Sequence, residues 1–271
     1  MKKVILSLAG ILLSYCAIAQ NIALDGQDAY SALFRQSVKS CDEFMCRFNG
    51  EEYFPGLDIN DQQIGLKNFM LLFDYKLSAA KNKDEFLKEI ADFYDVIRKN
   101  NIKLEYKSKD WYAELRTTFM YRKTPVELGL VFKTEETPKG LSCWTIAGVN
   151  GLEKIGFKDS TNRMVISPEQ HEADFMELDG DFKFSAKTFS HFRSYHAKLD
   201  ALSYFFALVE SGTLIFDSRV STQFHFYDVP SYVFSIKYHE RKKSNTGWLI
   251  TDYKKVNSKE KTNMLNKLLS K

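Results

Sequence analysis

The chain has 271 residues, of which 44% are hydrophobic and 14% aromatic, with 38 basic and 35 acidic side chains. Lys2 and Lys3 sit in a leader-like segment, and without them 36 basic residues face 35 acidic ones. So even a balance, with no long block of one sign, excludes a strongly electrostatic partner, and neither nucleic acid nor an anionic membrane surface is expected.

Residues 1–19 read as an export signal: two lysines, an apolar run, then Ala17-Ile18-Ala19, the small-x-small pattern of a cleavage site before Gln20. The product is expected in the periplasm or outside the cell. Cys16 closes the apolar run, but the bulky Tyr15 before it is not the small residue that lipidation requires, which disfavours an anchor. No later run reaches the ~18 apolar residues of a membrane span, so no transmembrane segment is expected in the mature chain.

The first expected helix lies in "SALFRQSVKSCDEFMCRF", with Phe34, Val38, Cys41, Met45 and Phe48 on one stripe. A second follows in "DEFLKEIADFYDVIRKNN", where Phe86, Ile90, Phe93 and Ile97 recur every three to four residues and Asn100 or Asn101 ends the helix. Three strands come next: "WYAELRTTFMYR", then "VELGLVFKT" entered through Pro125, then "LSCWTIAGV" after a hairpin. The stretch "NGLEKIGFKDSTNR" loses the periodicity and reads as a linker. The boundary between domains is expected near residue 155.

Beyond it the plan repeats. "SPEQHEADFMEL" opens with Ser167 as cap, Pro168 in the first turn and Gln170 closing a capping box. "AKLDALSYFFALVESG" places Leu202, Phe205, Phe206 and Val209 on one stripe with Gly212 as the stop. The strands "RVSTQFHFYDV", "SYVFSIKYHE" and "NTGWLITDY" follow, the second entered through Pro230, and "NSKEKTNMLNKLLSK" ends the chain as a short amphipathic helix. The helices align at a shift of 112 residues, the prolines at 105 and Trp144 with Trp248 at 104, near-constant offsets that indicate an internal duplication. The equivalence of the two tryptophans points to packing.

Helices followed by antiparallel strands imply an α+β class with two tandem domains, 20–155 and 156–271. Each is a curved antiparallel sheet wrapped around N-terminal helices, leaving a cone. This arrangement resembles the nuclear transport factor two-like (cystatin-like α+β cone) superfamily. More narrowly, "EFMCRFNGEE" and "SGTLIF" followed by "FHFYDVPSYVFSIKYHERKKSNTGWLI" are similar to exported proteins of Bacteroides-type bacteria that carry such domains in tandem. The resemblance implies a fold and no catalytic residues, since the superfamily spans dehydratases, isomerases, enzyme subunits and binding modules.

Chemistry-bearing residues are sparse. Cys41, Cys46 and Cys143 are an odd set with no zinc or redox spacing, and buried thiols are the expectation. His171, His191, His196, His225 and His239 lack metal-ligand spacing, so neither metal nor cofactor is expected. Strand alternation groups Gln223, His225 and Tyr227 opposite Phe224 and Phe226, and it groups Tyr112, Glu114, Arg116 and Thr118 opposite Trp111, Ala113 and Leu115. A cross-strand ion pair accounts for Glu114 and Arg116. The candidate ligand-binding residues are therefore His225, Tyr227, Gln223, Tyr112 and Arg116. The expected role is non-catalytic binding of a small apolar or amphipathic ligand, or of a protein partner. The alternative is an isomerase, dehydratase or hydrolase using acid/base chemistry in the second cone. The pattern leaves oligomeric state open.

Overall fold

The computed structural model describes residues 37–51, 62–80, 82–157, 200–241 and 245–269. Among them the fold is mixed α+β. Six α-helices are present: α1 Cys41–Phe48, α2 Gln62–Met70, α3 Tyr75–Ala80, α4 Lys83–Lys99, α5 Ala201–Glu210 and α6 Ser258–Leu268. The strands are β1 Ser37–Val38, β2 Trp111–Tyr121, β3 Thr124–Glu136, β4 Ser142–Asn150, β5 Leu214–Phe226, β6 Tyr232–His239 and β7 Thr246–Lys255. They form one unclosed sheet in the order β1-β7-β6-β5-β2-β3-β4. The second-half strands β5, β6 and β7 are an antiparallel meander, and β1 pairs parallel with β7. The leader, Phe34, the helix expected at 167–178 and His171, His191 and His196 lie outside the described residues.

Helix α4 forms as its sequence dictates. The Asn82 side chain accepts from the Asp84 N–H, Asp84 and Glu85 face the positive end of the helix, and Arg98 and Lys99 face the negative end. Phe86, Ile90, Phe93 and Ile97 are all buried, and Asn101 ends the helix in the left-handed region at φ 48°. Helix α1 differs from its expectation. Ser40 caps it by accepting from the Glu43 N–H, so the helix begins at Cys41, and the residues before it are strand β1. Val38 is fully buried there as a strand residue. The buried face of α1 is Phe44, Met45, Arg47 and Phe48.

The chain divides into two compact units. The described residues of the first fall within Met1–Glu114, Lys133–Thr145 and Thr222–Leu265, and those of the second within Leu115–Phe132, Ile146–Ser221 and Asn266–Lys271. Each unit thus draws on chain from both sides of residue 155.

In the first unit, helices from the first half of the chain pack on strands from the second half. Phe44, Phe48, Phe69, Phe73, Phe86, Ile90, Phe93 and Ile97 share one core with Trp111, Phe226, Phe234, Ile236, Leu249 and Ile250. Phe48 stacks on Phe234 with centroids 5.3 Å apart, Phe93 on Tyr232 at 4.3 Å and Phe226 on Phe234 at 4.7 Å. Each such ring contributes roughly 2–3 kcal/mol by burial, and pairing adds ~1 kcal/mol.

In the second unit, Phe205 of α5 packs with Phe119, Leu128, Leu130, Val149, Leu152, Ile155 and Leu214. Two expectations change here. The stretch read as a linker supplies Leu152 and Ile155 to this core through a 3-10 turn. The expected stripe on α5 reduces to Phe205, with Leu202 partly buried and Phe206 and Val209 exposed. On β5, Val220 is also exposed.

The two tryptophans have different surroundings. Trp144 is 45% exposed and packs edge-on against buried Trp111, whereas Trp248 is half-buried against Phe224 and Tyr238. The expectation of buried thiols fails for Cys46 and Cys143, which are exposed. Only Cys41 is largely shielded, and burial, with the Asp42 charge, pushes its thiol up to about 12.

Candidate functional site

A cavity of about 190 Å³ opens in the first unit among the ends of three helices and the loop that follows α4. Phe48 of α1, Phe69 of α2 and Tyr94 and Ile97 of α4 give it an apolar wall, while Arg47, Asn49, Asn68, Arg98, Asn101 and Lys103 supply polar groups. Among the described residues no strand residue lines it, so it is a helix-lined cavity.

Local chemistry keeps the cavity open. At Gly65 an added Cβ would collide with the Tyr94 hydroxyl, so the absence of a side chain on α2 is what admits the phenol. The Asn49 amide is occupied: it donates to the Leu104 carbonyl at 3.0 Å and accepts from the Leu104 N–H at 2.8 Å, fixing the loop to the end of α1. Arg47 is held by Glu43 at 2.6 Å and by the Ser37 carbonyl at 2.8 Å, and Lys103 by Glu51 at 2.9 Å.

Tyr94 is different. It is 8% exposed, and its hydroxyl has no hydrogen-bond partner among the described residues. Burial raises its pKa against the opposing effect of the Arg98 charge, so it stands as a neutral donor at ordinary pH.

The residues singled out in the sequence lie elsewhere in the same unit, with one exception. Phe226 points into the aromatic core, which places Gln223, His225 and Tyr227 on the opposite side. Strands β5 and β2 are neighbours, and the Tyr227 N–H donates to the Asp110 carbonyl at 2.7 Å. This brings His225 Nε2 to 2.9 Å from Glu114 Oε2, and sets the Tyr112 and Tyr227 rings edge to face with centroids 5.9 Å apart. Gln223 donates to the Ser235 hydroxyl at 2.7 Å. Arg116 is exposed and belongs to the second unit, while Glu114 meets His225 across the strands.

Burial, with Tyr112 and the Glu114 charge, pushes the Tyr227 hydroxyl up to about 12. Burial also raises Asp228 above the ordinary carboxyl value, and its Oδ1 is buried without a partner among the described residues. A carboxylate-oriented imidazole beside two neutral phenols has the composition of a proton-transfer set. Each member, however, already has a structural partner or packing role. Among the described residues no three His, Cys, Asp or Glu side chains gather to hold a metal.

A third polar cluster is a clasp. Arg241 donates twice to the buried Asp74 carboxylate, both at 2.8 Å, and its guanidinium lies over the Tyr75 ring at 4.8 Å. Asn245 donates to the Leu71 and Phe73 carbonyls, and His239 Nε2 is 3.6 Å from Asp74 Oδ2. These contacts fasten the ends of β6 and β7 to the turn between α2 and α3.

The first unit is therefore an α+β body with one helix-lined cavity and a separate polar sheet face. No protein-family model, curated protein or solved structure matches the chain.

Proposed function

We propose that the protein is a binding module that takes a small, ring-sized amphipathic molecule into the helix-lined cavity of its first unit. The observation that carries this reading is the cavity of about 190 Å³ itself, with Phe48, Phe69 and Ile97 on its wall and Tyr94 beside them. An apolar cavity of ~150 Å³ accepts benzene, so this one has room for a single ring bearing a polar substituent. Phe48, Phe69 and Ile97 would meet the ring, and Tyr94 its polar atom.

Phenol titration followed by amide NMR tests the reading. Saturable shifts confined to residues around Phe48, Phe69, Tyr94 and Ile97 are expected, and Asn68→Trp, which fills the space, should abolish them. Failure of phenol to bind, or binding untouched by the tryptophan, removes the proposal.

We propose that the two halves descend from one helix-plus-meander module of the nuclear transport factor two-like kind, and that each half's helices now face strands of the other. The aromatic core of the first unit and the Phe205 core of the second support this reading. Export to the periplasm or beyond, after cleavage before Gln20, belongs to the same proposal, and N-terminal sequencing of protein recovered from its host checks it.

A further inference from the structure

We infer that residues 215–221 of β5, in the second unit, are the docking edge for a second copy of this chain, the two copies pairing antiparallel about a two-fold axis at Ser218. The ladder that joins β5 to β6 runs only from Gln223 to Phe226. Before it, β5 has β2 as its neighbour, where Phe119 meets the Phe216 ring edge-on with centroids 5.6 Å apart. On the other side residues 215–221 have no ladder partner among the described residues. All seven are exposed, so neither side-chain face of this stretch is covered. Ile215, Phe216 and Val220 each keep more than half of their surface in water. A strand edge that carries apolar side chains is a template for another strand.

The sequence of the edge selects its occupant. Read outward from Ser218, "IFDSRVS" complements itself in the antiparallel sense. Asp217 falls opposite the second copy's Arg219, Phe216 opposite its Val220 and Ile215 opposite its Ser221. Strand alternation sets Phe216, Ser218 and Val220 on one face and Ile215, Asp217, Arg219 and Ser221 on the other. The pairing therefore makes two apolar pairs on one face and two opposite-charge pairs on the other, each contact occurring twice because the axis repeats it.

The same two charges exclude the competing registers. Moving the axis to residue 217 sets Asp217 against its own copy, and moving it to residue 219 sets Arg219 against its own copy. A parallel, in-register pair does both. Charges on an edge strand ordinarily turn other strands away, and these two repel every arrangement but the one centred on Ser218.

Sedimentation equilibrium of residues 20–271 at roughly 100 μM, a concentration that populates an interface of modest area, is expected to report a dimer. Asp217→Arg places two Arg–Arg pairs across the axis and Arg219→Asp two Asp–Asp pairs, so each should weaken the dimer at least about tenfold. The double variant Asp217→Arg/Arg219→Asp restores both pairs and should restore the dimer, as should an equimolar mixture of the two single variants. Both positions are exposed, so circular dichroism of each dilute variant should match that of the unaltered chain. A monomer at that concentration overturns the proposal. So does a dimer indifferent to either reversal, which would lie on another surface, and so does a double variant or a mixture that stays monomeric.

Discussion

Asp74 illustrates what one buried charge does to this molecule. Burial alone would push its carboxyl up, but the Arg241 fork, the Lys76 N–H and the nearby His239 outweigh it and hold it below the ordinary value. A carboxyl held down in the folded state contributes stability above its unfolded pKa of about 3.8, and that contribution is lost as pH falls through the lower folded value. Replacing Arg241 by Met removes the strongest counterweight to burial and leaves only the Lys76 N–H and His239 against it. The penalty is then expected to be about 3 kcal/mol at pH 7 and to shrink below pH ~4, where the orphaned carboxyl takes up a proton. Urea unfolding at the two pH values measures it, and a penalty that does not depend on pH removes Asp74 from the explanation. His239 works in the same direction. Burial first, then the Arg241 charge, lowers its pKa, so the folded state resists its protonation and loses stability as pH drops below 6.5.

At the scale of elements, legibility tracked how local the cause was. Helix α4 could be read because caps, period and stop all lie within its own residues, and its four expected core positions are buried. Ile90, fully buried at its centre, should cost about 3 kcal/mol when cut to alanine, measured by the denaturation midpoint at unchanged slope; a cost below 1 kcal/mol would mean the helix is not seated as described. Helix α1 was misplaced because periodicity continues through Val38, whose burial comes from a strand pairing with β7 that no local pattern announces. Pairing between distant segments also hid the Glu114–His225 contact, 111 residues apart, although alternation had put His225, Gln223 and Tyr227 on one face. The cavity was invisible for a related reason. Its walls are the ends of α1, α2 and α4, and the only local trace was Gly65 inside a helix, a residue that weakens a helix unless something needs its space.

For the molecule as a whole, the offsets suggested which segments are alike, whereas the partnership between the two halves of the chain was not legible. Sequence similarity says which segments are alike, and says nothing about which copy of a helix meets which copy of a strand. In the first unit, first-half helices bury their rings on second-half strands, so neither half carries a complete aromatic core. Fragments 20–157 and 158–271 are expected to be unfolded when made separately and to regain native circular dichroism when mixed. Independent folding of either fragment with cooperative melting would show that consecutive domains suffice.

The outer strand of the sheet, β4, has company in the second unit. Asn150 donates to the Leu268 carbonyl at 3.0 Å, and Gly148 lies so near the Leu269 backbone that even a methyl group there would press against it. The last residues of the chain thus act as a guard rail along a row of peptide groups that would otherwise invite a neighbouring molecule to add its own strand. A bulky tag fused behind Leu269, or trimming back to Met264, would take that guard away, and self-association would follow from an alteration far from either the cavity or the clasp.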